Sequence, residues 1–246
     1  MVNGEMLSLG ERWKSILADV ESGQRCMDLF SASATAEYRA KNGEIFCGKG
    51  CSACCTLAVN CTAAEAVRIA RELDQQQAAN LNGYVARLKT RISEAADLKG
   101  YLRLHRKELG GCPFLDNDSC GIYSARPISC RALLSSKESR WCAADFSEIN
   151  PAEKLAYRES LDRAAVAFPL HYLACTQDAG QKLEAQASLQ MLKEFGFSLS
   201  GSMPVLVYLF KEWSLLDSLQ KDAVALLAVA ASAGLDSPFL LQVDPL

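Results

Sequence analysis

The sequence predicts a mainly α protein: a helical domain with Cys-rich metal-binding loops and a small hairpin-like piece inside them. Three observations point there. Apolar residues recur at helical spacing over most of the chain, helix-start signatures stand at Thr62 and Asn150, and period-2 runs are few.

Taken in order, residues 5–40 read as one or two amphipathic helices. Leu7, Trp13, Ile16, Leu17 and Val20 form one stripe, which Met27, Leu29 and Phe30 continue. Ile45-Phe46 and Leu57-Ala58-Val59 are the best short strands. Thr62-x-x-Glu65 is a capping box that opens a helix through about Leu73, and a second helical run spans Leu81 to Leu98. Gly110-Gly111 breaks the chain. Asn150, Pro151 and Glu153 start another helix, carrying Leu155, Leu161, Ala165 and Phe168 and ending near Pro169. Residues 178–195 are helical too. Gly196 to Ser202 is the clearest flexible joint. Beyond it, Ser202-x-Pro204 starts a helix with Leu206, Leu209, Trp213 and Leu216 on one face, and Asp222 to Ala233 starts the last. The expected organisation is a cysteine-cluster domain at 1–149, with its core motif at 45–131, and a C-terminal helical region at 150–246 packed on it.

Composition narrows the function. With 26 Lys+Arg, 29 Asp+Glu and a net charge of -3, the chain lacks the basic excess that displaces phosphate counterions, so no nucleic acid is expected. The apolar stretch at 223–235 is shorter than the roughly 20 residues of a spanning helix. Met1 to Val20 carries Glu5, Glu11 and Asp19 and has no basic segment leading into an apolar one, so the expectation is a cytoplasmic protein without a membrane partner. A protein partner and the oligomeric state stay undefined.

The chain's 11 cysteines fall well below the roughly 8–10% of a disulfide scaffold. Cys47, Cys51, Cys54, Cys55, Cys61, Cys112, Cys120 and Cys130 are clustered, whereas Cys26, Cys142 and Cys175 lie outside. In a reducing compartment, clustered thiols are metal ligands or redox groups rather than disulfides. Around the first cluster, Gly48, Gly50, Ser52 and Ala53 let the backbone wrap tightly around an ion. In the second, Asp116-Asn117-Asp118-Ser119 is turn chemistry between short apolar pieces, and Pro113 and Pro127 stiffen its two ends. Two such segments separated by helices describe a split metal site. Zn²⁺ or an iron–sulfur cluster takes four thiolates, and with zinc these leave two excess negative charges, which Lys49, Arg126 and Arg131 are placed to neutralise. Adjacent side chains diverge in an extended chain, so Cys55 need not reach the centre that Cys54 reaches.

Cys47-x3-Cys51-x2-Cys54-Cys55, then Cys112, then Cys120-x-Ile-Tyr-x-x-Arg126-Pro127-x-x-Cys130-Arg131, resembles the YkgJ-like cysteine-cluster family. That resemblance covers about residues 45–131 and implies a zinc- or iron-chelating CxxCxxCC domain. It implies metal ligands among Cys47, Cys51, Cys54, Cys55, Cys112, Cys120 and Cys130, and no particular reaction.

Other readings stand beside it. Cys47-x3-Cys51-x2-Cys54 has the cluster spacing of radical S-adenosylmethionine enzymes, in which three Cys hold a 4Fe–4S cluster, so an iron–sulfur enzyme of radical or methyl-transfer chemistry is one alternative. A helical interaction module stiffened by zinc is another, with Leu206, Leu209, Trp213 and Leu216 as its contact face. Glu65 reads as a cap rather than a base. Cys26, Cys61, Cys142 and Cys175 read as core or incidental residues. His105 and His171 read as structural or surface residues, with His105 the one alternative ligand to test.

Overall fold

The computed structural model describes residues 11–48, 50–219 and 222–245, so Leu7 and Lys49 lie outside the described residues. The protein is mainly α with small antiparallel sheets, as the periodicity predicts.

Helix α1 (Glu11–Ala40) is a single 30-residue helix. It buries Trp13, Ile16, Val20 and Met27 and packs along α8 (Ala174–Phe195). Leu29 and Phe30 leave the expected stripe for solvent. At about 100° per residue, Leu29 falls on the face opposite Met27.

Strand β1 (Asn60–Thr62) leads directly into α2 (Ala63–Glu72), whose capping box forms as Thr62 and Glu65 predict. Next come α3 (Gln75–Arg91) and α4 (Leu98–Lys107). The expected strands at 45–46 and 57–59 do not form, since extended pairing begins only at Asn60. Strands β2 (Leu115–Asp116) and β3 (Ser119–Cys120) make the expected hairpin. Asn117 and Asp118 both take left-handed φ in its turn, a conformation these two residue types tolerate.

Short helices α5 (Ile128–Arg131) and α6 (Ser139–Ala143) follow, then α7 (Pro151–Glu159), capped by Asn150. Here the outcome differs from expectation: α7 ends ten residues before Pro169, and Leu155 and Phe168 face solvent. Tyr157 and Leu161 provide the anchor instead, packing with Trp141 and Val166.

Residues 197–202 are not a joint. Gly196 ends α8 in the left-handed conformation, and Phe197–Ser202 then forms β4, the central strand of a sheet ordered β1-β4-β5, with β5 at Leu241–Pro245. The alternation Phe197-Ser-Leu199-Ser is a period-2 pattern that Gly196 and Gly201 mask. The register pairs Cys61 with Gly201. Helices α9 (Met203–Glu212), α10 (Leu215–Leu219) and α11 (Ala223–Ser232) complete the chain.

One large core draws on both ends of the sequence: Val67, Ile69 and Tyr84 from α2 and α3 meet Leu206, Leu209 and Phe210 from α9. Leu206, Leu209 and Leu216 are therefore internal, and Trp213 alone of the proposed contact face reaches solvent. Among the described residues no helix is long and apolar enough to cross a membrane. None of their paired strands is parallel, so the repeated parallel strand–helix units of a radical-enzyme barrel are not among them.

Candidate metal centre

The first cysteine segment folds as a chain of tight turns. The Cys51 amide donates to the Gly48 carbonyl at 3.1 Å, with Gly50 at positive φ between them. A single 3₁₀ turn, Ala53–Thr56, then carries Cys54 and Cys55. In this compact turn, unlike an extended chain, the two adjacent cysteines both border the same space.

The second segment is tied to the first by two hydrogen bonds. The Cys112 amide donates to the Cys55 carbonyl at 2.9 Å. Gly111 makes this approach feasible: it sits at φ 79°, and a Cβ there would stand 3.1 Å from the Cys55 oxygen. The Ser52 hydroxyl donates to Asp118 in the hairpin turn at 2.8 Å. Cys47 is fixed from across the chain, its sulfur accepting from the Ser135 amide at 3.2 Å and its thiol donating to the Leu133 carbonyl at 3.4 Å.

Cys130 is positioned by Glu65. This carboxylate is fully buried. One oxygen accepts from the Thr62 amide and hydroxyl at 2.9 and 3.0 Å, while the other accepts from the Ile128 amide at 2.7 Å, at the start of α5. Glu65 is thus a cap for two helices at once, and α5 holds Cys130 against the site.

The result is a cavity of about 480 Å³ lined by Cys47, Cys51, Cys54, Cys55, Cys112, Cys120 and Cys130. All seven cysteines from the two segments border this one space. In the side-chain positions described, no three His, Cys, Asp or Glu residues converge closely enough to hold one ion. Leu57, Val59, Ile122, Leu133, Met203 and Pro204 give the cavity an apolar wall.

Burial governs the thiols. It pushes Cys47 up to about 11 and Cys112 up to about 12, and it raises Cys120 and Cys130 as well. For Cys54 the hydrogen bond to Cys55 is the larger cause, with burial next. Within the cavity Cys54 bears on Cys112, Cys120 and Cys130, Cys120 bears on Cys112 and Cys130, and Arg126 favours the thiolates of Cys54, Cys120 and Cys130. Arg126 stacks on the Tyr123 ring at 4.1 Å, and its Nε is buried without a partner.

Arg131 plays a different part. Its side chain is buried, and its guanidinium donates to the Ser124 carbonyl at 2.7 Å, the Arg126 carbonyl at 2.9 Å and the Asp28 carboxylate. It stitches the loop before Cys130 onto α1, and its charge reaches Cys120 only as a minor influence. Cys61 is a core residue on β1, paired with Gly201 of β4.

His105 also borders the cavity. Its Nδ1 is 2.7 Å from the Tyr84 hydroxyl, while its buried Nε2 has no hydrogen-bond partner, the Leu57 carbonyl lying near but outside bonding geometry. Burial lowers its pKa to about 4, so the ring is neutral at pH 7 and one nitrogen keeps a lone pair. Soft thiol sulfur plus an orphaned imidazole nitrogen is a donor set that suits zinc or iron. The apolar wall, contributed by Leu57, Val59, Met203 and Pro204, carries no motif that sequence reading could find.

These features define a helical protein built around a thiol-lined cavity. Residues 46–158 match the model of the CxxCxxCC family, described as a "putative zinc- or iron-chelating domain". No curated protein and no solved structure matches the chain.

Proposed function

We propose that the protein chelates zinc or iron through thiolates supplied jointly by its two cysteine segments, with Cys54, Cys112, Cys120 and Cys130 as the principal donors. The observation that carries this reading is the meeting of all seven thiols on one cavity, although more than fifty residues separate the segments. Cys47, Cys51 and Cys55 border the same space and extend the donor set. Arg126 offsets the negative charge of the thiolates.

Burial holds the Cys47 and Cys112 thiols neutral at pH 7, so each must lose its proton to bind metal, and the metal supplies the positive charge that makes this favourable. Turns, the Glu65 caps and the Arg131 stitch hold the donors near one another beforehand, so loading requires mainly side-chain rotation.

A second reading rests on the cavity itself. Its volume of about 480 Å³ lies within the range of about 300–1,000 Å³ typical of small-molecule sites, and its wall is largely apolar. This favours an iron–sulfur centre with a ligand beside it over a single closed zinc ion.

Anaerobic purification followed by elemental analysis and a visible spectrum tests both readings. Bound zinc or iron, lost in Cys54→Ser and Cys130→Ser, is the expected result. Broad absorption near about 400 nm with iron and sulfide selects the cluster, whereas a colourless zinc protein selects the closed site. Full metal content in both variants overturns the chelating assignment of these residues.

A further inference from the structure

Behind Cys47, outside the residues that line the cavity, lies a second cluster of donors. The Cys142 sulfur is 3.3 Å from His171 Nε2, and His171 Nδ1 is 2.8 Å from the Tyr157 hydroxyl. All three residues are buried. Cys142 sits on α6, which packs on the 3₁₀ turn carrying Cys54 and Cys55. Ser135 joins this cluster to Cys47: its amide donates to the Cys47 sulfur at 3.2 Å, and its hydroxyl lies against the Cys142 sulfur together with that of Tyr172. A bridge between Ser135 and Tyr172 fixes this junction.

We propose that Cys142 and His171, together with Cys47 and Cys51, form a second metal centre of three sulfurs and one nitrogen beside the first. This rests on the chelating reading above.

Three arguments support it. First, the donors outnumber one site: seven thiols border the cavity, and a tetrahedral ion or a four-iron cluster uses four. Second, the thiols divide by neighbourhood. Cys130 lies among Cys112 and Cys120, whereas Cys47 lies among Cys142 and Cys51, and Cys54 stands between the two groups. Third, His171 is held as a ligating histidine is held. A metal-bound imidazole engages its other nitrogen with a polar partner, which fixes the tautomer and the ring. Tyr157 can accept from Nδ1–H, leaving the Nε2 lone pair towards Cys142. The same arrangement recurs at the cavity wall, where Tyr84 holds His105 Nδ1. On loading, an ion replaces the proton shared between Cys142 and His171, and the sulfurs of Cys47 and Cys51 turn towards it.

The pair is also too enclosed to serve as a nucleophile and base for an outside substrate, since Cys142 and His171 are at most 5% exposed.

The test uses the full chain, reduced and free of oxygen, titrated with Zn²⁺ and separately with Co²⁺, whose spectrum reports sulfur and nitrogen ligands. The expected result is two ions per chain in the unaltered protein and one in both Cys142→Ser and His171→Gln, with Cys54→Ser retaining the second centre. Tyr157→Phe keeps the ring packing but frees Nδ1, and should weaken the second ion about 10–100-fold. Near-ultraviolet circular dichroism of each metal-free variant identifies any that fails to fold, and Tyr157→Phe then decides. Two ions retained at unchanged affinity in Cys142→Ser, His171→Gln and Tyr157→Phe overturn the second centre while leaving the first intact. Retention in Cys54→Ser and Cys130→Ser as well removes the chelating reading itself.

Discussion

Replacing Glu65 by Gln should cost the metal-free protein about 3 kcal/mol, far more than the loss of a cap on one exposed helix. The carboxylate accepts three hydrogen bonds with no access to water. Hydrogen bonds to charged groups contribute about 1.5–3 kcal/mol each. Gln retains one acceptor oxygen, but its amide group must then face either the Ile128 amide or the Thr62 amide, donor against donor. One charge-assisted bond is lost and one buried N–H is left unpaired, which together give the figure above. Urea unfolding of the protein stripped by a chelator is the assay. With a slope of about 3 kcal/mol per M, the midpoint should fall by about 1 M at constant slope. Glu72→Gln, on the exposed end of the same helix where Glu72 meets Arg68, is the control and should shift stability by less than about 1 kcal/mol. Because Glu65 also anchors α5, Glu65→Gln should bind zinc more weakly than the wild type. A midpoint drop no larger than the control's would refute the claim that Glu65 clamps two helix starts together.

Two further outcomes follow from the same geometry. Gly110 and Gly111 both have left-handed φ, so alanine at either should cost about 1–2 kcal/mol. Only Gly111 faces an obstacle, the Cys55 carbonyl, while a Cβ at Gly110 meets nothing within 4 Å. Gly111→Ala should therefore be the more destabilising of the two by urea midpoint and the only one to weaken metal binding; equal effects would deny the close approach its role. The metal-free protein should also lose stability in mild acid, because burial lowers both His105 and His171 to about 4. The unfolded chain takes up these protons from about pH 6.5 and the folded chain only near pH 4, so stability is present above pH 6.5 and falls towards pH 4, by about 2 kcal/mol per histidine at pH 5. Denaturant titrations at several pH values should show this slope, reduced in His105→Gln and in His171→Gln; a flat profile would contradict the buried neutral state.

What the sequence disclosed was governed by how local each signal is. The Thr62–Glu65 and Asn150–Glu153 caps are complete within four residues, and both form. The turn Asn117-Asp118 is equally local and closes the expected hairpin. Strand β4 was hidden because Gly196 and Gly201 punctuate a period-2 run whose partners, β1 and β5, lie far away in sequence. In the site, spacing and glycine content single out the cysteines, and the structure brings those seven to one cavity. The role of Arg131 as a stitch to Asp28 depends on a contact across 103 residues, and nothing near position 131 announces it. Cys142 and His171 escaped for the same reason, each being a single residue among apolar neighbours until the fold sets them 3.3 Å apart.

The placement of the thiols also bears on what metal does for this chain. In small zinc domains the ion supplies much of the folding free energy, because little apolar surface is buried without it. Here the principal core joins α2, α3 and α9 around Val67, Tyr84 and Phe210, and none of the seven cavity cysteines is fully buried within it; Cys112 and Cys120 pack only against its edge. The loops carrying the thiols are held by contacts of their own, the Glu65 caps, the Cys112–Cys55 bond and the Arg131 stitch. The fold thus has a source of stability separate from the site, and the loops that carry the thiols are held in place without an ion. Such a protein can gain or lose metal while keeping its helices, so chelation should change local order around residues 47–57 and 112–131 and leave the core intact.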